Sequence, residues 1–315
     1  MKLNLEIEIG KIKFKNPVLV ASGTFGHAGE FKQFIDLKKL GGIVTKTITL
    51  KPRLGNPPQR IVETPSGMLN SIGLQNPGVE KFIEEKLPYL QNLRVPIIVS
   101  VMGYSIEEFT EVIKKLEETQ SIHGYELNLS CPNVAYKETP NEPPGFMTVK
   151  MFAQEEGMIA GVVRGVRGVT RKTLIAKLGP EVSDIGAMAS AAERAGADAV
   201  SLVHTFVAMA IDVKTRRPVL ANKTGGLSGP CIRPIAVRMV WEASRAVKIP
   251  VIGIGGIMDA HDALEFLIAG ASAIQVGTAN FINPRASIEI LEGLKDFMKK
   301  EKLRDLKEII GSLRT

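Results

Sequence analysis

Eight short, β-branched apolar runs recur along the chain and constrain its fold more than any other feature. They are PVLVA at 17–21, GIVTKTIT at 42–49, PIIVSV at 96–101, GYELNLS at 124–130, TLIAKL at 173–178, AVSLVHT at 199–205, PVIGIGG at 250–256 and AIQVGT at 273–278. Their apolar character is nearly continuous rather than alternating, as in parallel strands covered on both faces. Helical stretches with readable ends lie between several of them. SIEEFTEVIKKLEET (105–119) opens on Ser105 with Glu108 three residues on, a capping-box signature. DIGAMASAAERAGA (184–197) closes at Gly196, and DAHDALEFLIAGA (259–271) opens on Asp259 and closes near Gly270. Strand and helix alternating in series predict an α/β fold of the (β/α)8 TIM-barrel type. A doubly wound open sheet would want a glycine-rich fingerprint after the first strand, and ASGTFG is a poor one.

The first 16 residues read as a hairpin turning at Gly10–Lys11 and covering the barrel floor. Long excursions at about 50–78, 131–150 and 210–229 follow the C-terminal ends of barrel strands, where barrel active sites are built. The third reads as a further hairpin and loop. A chain of 315 residues could hold two domains, but one barrel with long loops accounts for it equally well.

Composition removes several functions. The two cysteines, Cys131 and Cys231, are too few for a four-cysteine zinc site or an iron–sulfur cluster within the chain. They also give no disulfide framework, which suggests a reducing compartment, here the cytoplasm. No run of about 18 apolar residues exists to cross a membrane. Of the net charge of +7, three units sit in the tail LKDFMKKEKLRDLKEIIGSLRT, whose mixed charges at helical spacing read as a solvated helix face. With 5% aromatics, a nucleic-acid stripe is a poorer account of that charge than an anionic small molecule or an acidic partner.

Three glycine-rich segments, GGLSG (225–229), IGIGGI (252–257) and VGTANF (276–281), converge on one face. Strands seven and eight of a barrel commonly end at a phosphate site, where glycine lets the backbone approach the ligand closely. Lys46 and Lys177 lie inside strands, and lysine is rarely buried unless paired; at the barrel mouth they suit an anion or a developing negative charge. Snorkelling rim lysines are the plainer alternative. In NLSCPN (128–133), Asn128 and Asn133 can donate and accept toward a planar amide, and Cys131 could act as nucleophile or base. A lone cysteine is otherwise a small buried hydrophobe, the reading given to Cys231. SGMLNSIGLQNPG (66–78) reads as a conformationally special loop whose Asn70 and backbone face polar substrate edges.

Taken together, VLVASGTFG, VTKTIT, ETPSGMLNSIGLQNPG, ELNLSCPNV, KTRRPVLANKTGGLSGP, IGIGGI and QVGTANF resemble dihydroorotate dehydrogenase of class 1, and within it the NAD-linked B type, over roughly residues 3–285. The resemblance implies that residues 1–315 form a single FMN-binding barrel domain that oxidises dihydroorotate to orotate in pyrimidine biosynthesis. It makes Cys131 the base that removes the C5 proton and Lys177 the cation that would stabilise negative charge at the flavin's N1/O2 edge. Ser22, Lys46, Thr47, Asn128, Lys177, Val203, Gly229, Gly255, Gly256, Gly277 and Thr278 would hold FMN. Lys46, Asn70, Ser71, Ile72, Gly73, Leu74, Asn128, Asn133, His204 and Thr205 would contact the substrate. NAD reduction would need a partner subunit carrying FAD and a 2Fe–2S cluster, in a heterotetramer of two plus two chains built on a homodimer.

The chain departs from the family pattern at three places. His204–Thr205 stands where the family has Asn–Thr, Ser100 where strand three ends in Asn, and AYKETPNEPPGFMTVKMF replaces the loop after CPNV. His204 thus has three readings: it hydrogen-bonds orotate, it shifts ligand preference, or it is a lineage substitution. A fumarate-linked class 1A homodimer, an oxidoreductase of another pyrimidine-like substrate and a degenerate non-enzymatic scaffold are the competing readings.

Overall fold

The computed structural model describes residues 3–130 and 151–314. Eight strands form a closed barrel: β1 (Val18–Val20), β2 (Gly42–Val44), β3 (Ile97–Val101), β4 (Gly124–Asn128), β5 (Thr173–Lys177), β6 (Ala199–Leu202), β7 (Val251–Ile254) and β8 (Ala273–Val276). Each pairs in parallel with its sequence neighbours, and β8 closes on β1 through Gln275 opposite Leu19. Every residue of these strands is buried, so the continuous apolar runs report coverage on both faces. All eight runs identified in the sequence contribute one barrel strand each.

The helices form where their caps and apolar spacing require. The helix Ile106–Glu117 buries Phe109, Val112, Ile113 and Leu116, a single stripe at i, i+3, i+4 and i+7. Ser105 Oγ accepts from Glu108 N at 3.3 Å, whereas the Glu108 carboxylate accepts from Tyr104 N at 2.8 Å, one residue outside the expected box. Asp184 and Asp259 cap the helices Ile185–Arg194 and Ala260–Ala269 by accepting from Ala187 N and Asp262 N. The tail differs from its expected helix. Ala286–Lys300 is helical, but Lys302 turns left-handed and the chain folds back along the N-terminus, with Asn4 N donating to Arg304 O and Leu306 N to Asn4 O. Cys231 is exposed rather than buried, because it lies in the short turn Pro230–Ile232 at the barrel's rim.

Two caps complete the barrel. At the floor, the antiparallel hairpin Ile7–Ile9 and Ile12–Phe14 turns at Gly10–Lys11, and Lys11 N donates to Thr173 Oγ1 at the start of β5. At the mouth, Phe206–Ala208, Gly225–Ser228, Gly67–Asn70 and Ile61–Thr64 form a four-stranded antiparallel sheet. The excursions after β2 and β6 therefore make one roof. The expected excursion at 131–150 lies outside the described residues.

Candidate active site

Between the barrel mouth and this roof lies a cavity of about 850 Å³. Its base is built by strand register. Asn128 is the last residue of β4 and stands opposite Lys177, the last of β5. Lys177 is only 3% exposed. Thr47 and Lys46 follow β2; both line the cavity, as do Asn128 and Lys177. Thr47 Oγ1 lies 2.9 Å from Ser100 Oγ and accepts from Asn128 Nδ2 at 3.1 Å. Asn128 Oδ1 is buried with no hydrogen-bond partner among the described residues, so the amide presents an unused acceptor.

The glycine-rich strand ends meet at one side. Gly255, Gly256, Gly277, Thr278 and Ser22 line the cavity there. Gly255 and Gly256 hold φ of 132° and 73°, and a Cβ at Gly256 would stand 2.8 Å from both Arg233 Cβ and Gly229 O. A Cβ at Gly277 would instead meet no protein atom closer than 3.7 Å, so the room it leaves belongs to the cavity. Thr278 Oγ1 donates to Ser228 Oγ at 2.9 Å. Asp262 accepts from Met258 N at 2.9 Å and pairs with Arg233, tying down the turn after β7.

The roof supplies the remaining lining. Asn70, Ile72, Gly73 and Leu74 border the cavity, and Asn70 Nδ2 donates to Gly226 O at 3.3 Å. Val203, His204 and Thr205, after β6, border it too. The His204 ring Nδ1 lies 3.3 Å from Thr205 Oγ1. Burial first, then the charges of Lys177 and Lys46, hold the His204 imidazole well below its ordinary range, so it is neutral at neutral pH.

Of the site residues expected from the sequence, Ser71 and Gly229 do not line the cavity. Ser71 is buried behind it, its Oγ accepting from Asn56 Nδ2 at 2.9 Å, and Gly229 packs its carbonyl against Gly256. Cys131 and Asn133 lie outside the described residues. Sequence reading missed Asn76, whose side chain bonds Thr49, Leu74 and Gly78 and so shapes the loop at 71–78. It also missed Ser228 and the interior Glu126. A carboxylate two residues before Asn128, on the same face of an apolar strand, was the signal available for Glu126.

The donor set suits a flavin and an anionic substrate. Two ammonium groups, the Asn128 amide and a glycine-lined, hydroxyl-bearing strand-end cradle offer partners for a planar heterocycle and a phosphate.

A (β/α)8 barrel whose mouth is so equipped is that of a flavin-dependent oxidoreductase. The chain belongs to the dihydroorotate dehydrogenase family, whose model matches residues 4–298. It is 53% identical over 310 residues to the dihydroorotate dehydrogenase B (NAD(+)) catalytic subunit of Thermodesulfovibrio yellowstonii, covering 98% of this chain and 99% of the relative. Proteins of the same name from Trichlorobacter lovleyi and Thermoanaerobacter sp. are 51% and 52% identical, each over 99% of both chains. Among the described residues, no helix is long and apolar enough to cross a membrane.

Proposed function

We propose that this chain is the catalytic subunit of an NAD-linked dihydroorotate dehydrogenase of the cytoplasm, oxidising (S)-dihydroorotate to orotate on the route to UMP. The carrying observation is the convergence of Lys46, Lys177 and Asn128 with the strand ends at 255–256 and 277–278 around one cavity. FMN, when bound, supplies the acceptor for the hydride leaving C6 of the substrate. Gly255, Gly256, Gly277 and Thr278 would hold its phosphate, and Ser22, Thr47 and Val203 would complete its binding site. Lys177 would supply the cation that balances negative charge on the bound group. Lys46, Asn70, Asn128, Asn133 and His204 orient the substrate, with Ile72, Gly73, Leu74 and Thr205 enclosing it. Cys131 takes the C5 proton as general base.

Two cysteines cannot hold an iron–sulfur cluster, so reduction of NAD is assigned to a partner subunit with FAD and a 2Fe–2S cluster, two copies of each chain per assembly. Val207, Met209, Ile211 and Val213 are exposed apolar side chains along the segment after β6, and we assign them to contact between copies of this chain. The test is an acceptor panel. The purified chain should oxidise dihydroorotate with a dye and reduce NAD only when the partner is added. Rapid NAD reduction by the chain alone contradicts the partner assignment, and turnover with fumarate favours the fumarate-linked homodimer.

A further inference from the structure

Beneath the cavity lies a polar layer that the proposed reaction leaves without a role. Glu126 of β4, Ser201 of β6 and Gln275 of β8 come from alternate strands, share the barrel interior and are fully buried. Glu126 Oε2 accepts from Ser201 Oγ at 2.9 Å and from Gln275 Nε2 at 2.7 Å. Its Oε1 accepts no hydrogen bond among the described residues and faces Lys177 Nζ at 3.8 Å.

That separation is informative. A buried carboxylate without compensation is costly, yet here it sits inside the barrel with only Ser201 and Gln275 bonded to it among the described residues. Two neutral donors fix one oxygen, which sets where the other can stand. At 3.8 Å the second oxygen attracts the ammonium without consuming one of its hydrogen bonds, since an N–H···O bond needs about 3 Å. The donors of Lys177 are thereby left for whatever occupies the cavity above.

We infer that Glu126 is a positioning residue: it is the internal counter-ion that seats Lys177 at the cavity base and sets the charge beneath the bound flavin. This rests on a flavin occupying the cavity. The charge beneath that group is then Lys177 offset by Glu126, rather than Lys177 alone. Removing the carboxylate therefore favours the reduced, more negative flavin, and removing the ammonium opposes it.

The test compares Glu126→Gln, Lys177→Met and the double variant with wild type, as purified with flavin. Reductive titration should show Glu126→Gln shifting the oxidised–reduced equilibrium about tenfold toward reduced flavin, about 30 mV for two electrons. Lys177→Met should shift it the other way, and the double variant should lie between the two single variants. If Glu126→Gln does not fold, the double variant, which leaves no buried charge unpaired, is compared with Lys177→Met and should lie above it. Denaturant unfolding supplies a readout without flavin: the two substitutions should couple by about tenfold in the unfolding equilibrium constant. A flavin potential that Glu126→Gln leaves at the wild-type value, even with lowered stability, overturns the inference. So does strict additivity in the unfolding cycle. A chain that takes up no flavin overturns the functional reading, while the unfolding cycle still reads the Glu126–Lys177 pairing.

Discussion

Asn128 Nδ2 donates to Thr47 Oγ1, and this bond fixes the orientation of the amide at the base of the cavity. Thr47 is itself held by Ser100, so three side chains from β4, β3 and the segment after β2 act as one unit. Thr47→Val removes the acceptor and lets the amide turn. Losing one such buried bond costs about 1 kcal/mol, so flavin affinity should fall roughly five- to tenfold. Quenching of FMN fluorescence by the apoprotein measures this, and unchanged affinity would contradict the orienting role.

Cys131→Ala should leave FMN bound but nearly abolish flavin reduction by dihydroorotate. In the wild-type protein that rate should rise with pH as the thiol, with an ordinary pKa near about 8.5, ionises. Rapid-mixing absorbance between pH 6 and 9 provides the check. Normal turnover in the alanine variant removes Cys131 from the base role.

His204 is held neutral by its burial and by Lys177 and Lys46, so it can donate or accept a hydrogen bond without adding charge. We expect His204→Leu to weaken orotate binding about tenfold and His204→Asn to stay within about threefold of wild type. Perturbation of the bound flavin spectrum by orotate reads both. Equal binding by the leucine variant would show that the ring does not touch the substrate and would favour another pyrimidine-like ligand.

Much of the fold was legible because barrel strands carry an unmistakable signal: eight buried runs, each closed by glycine or polar residues at the mouth. The strand-end glycines and interior lysines were legible for the same reason, since both violate what a plain core allows. Ser228 and Glu126 were not, because their roles arise from partners far apart in sequence; Asn76 was not, because its local bonds gain their role only through Thr49, 27 residues away. Gln275, which bonds Glu126, is 149 residues away from it. The tail misled because charge spacing alone does not mark where a helix stops; a left-handed Lys302 does.

Stability should fall on acidification through a half-buried neutral histidine. His27 borders the cavity, and burial lowers its imidazole to about 4, with Glu30 opposing and Lys86 and Lys46 adding to the shift. The unfolded chain takes up a proton near about pH 6.5 and the folded one only near 4, so its contribution is complete above the first value and lost on descent toward the second. His27→Gln should flatten the decline between pH 7 and 4.5 by on the order of 1–3 kcal/mol, read by urea midpoints. Parallel curves for variant and wild type would contradict a neutral, half-buried His27.

The central claim is that this cavity holds a flavin which dihydroorotate reduces. Anaerobic titration of the purified, flavin-loaded chain with dihydroorotate, followed by visible absorbance, tests it most directly. The account predicts bleaching of the flavin band with one orotate formed per flavin reduced. A band that stays unchanged at saturating dihydroorotate would contradict it.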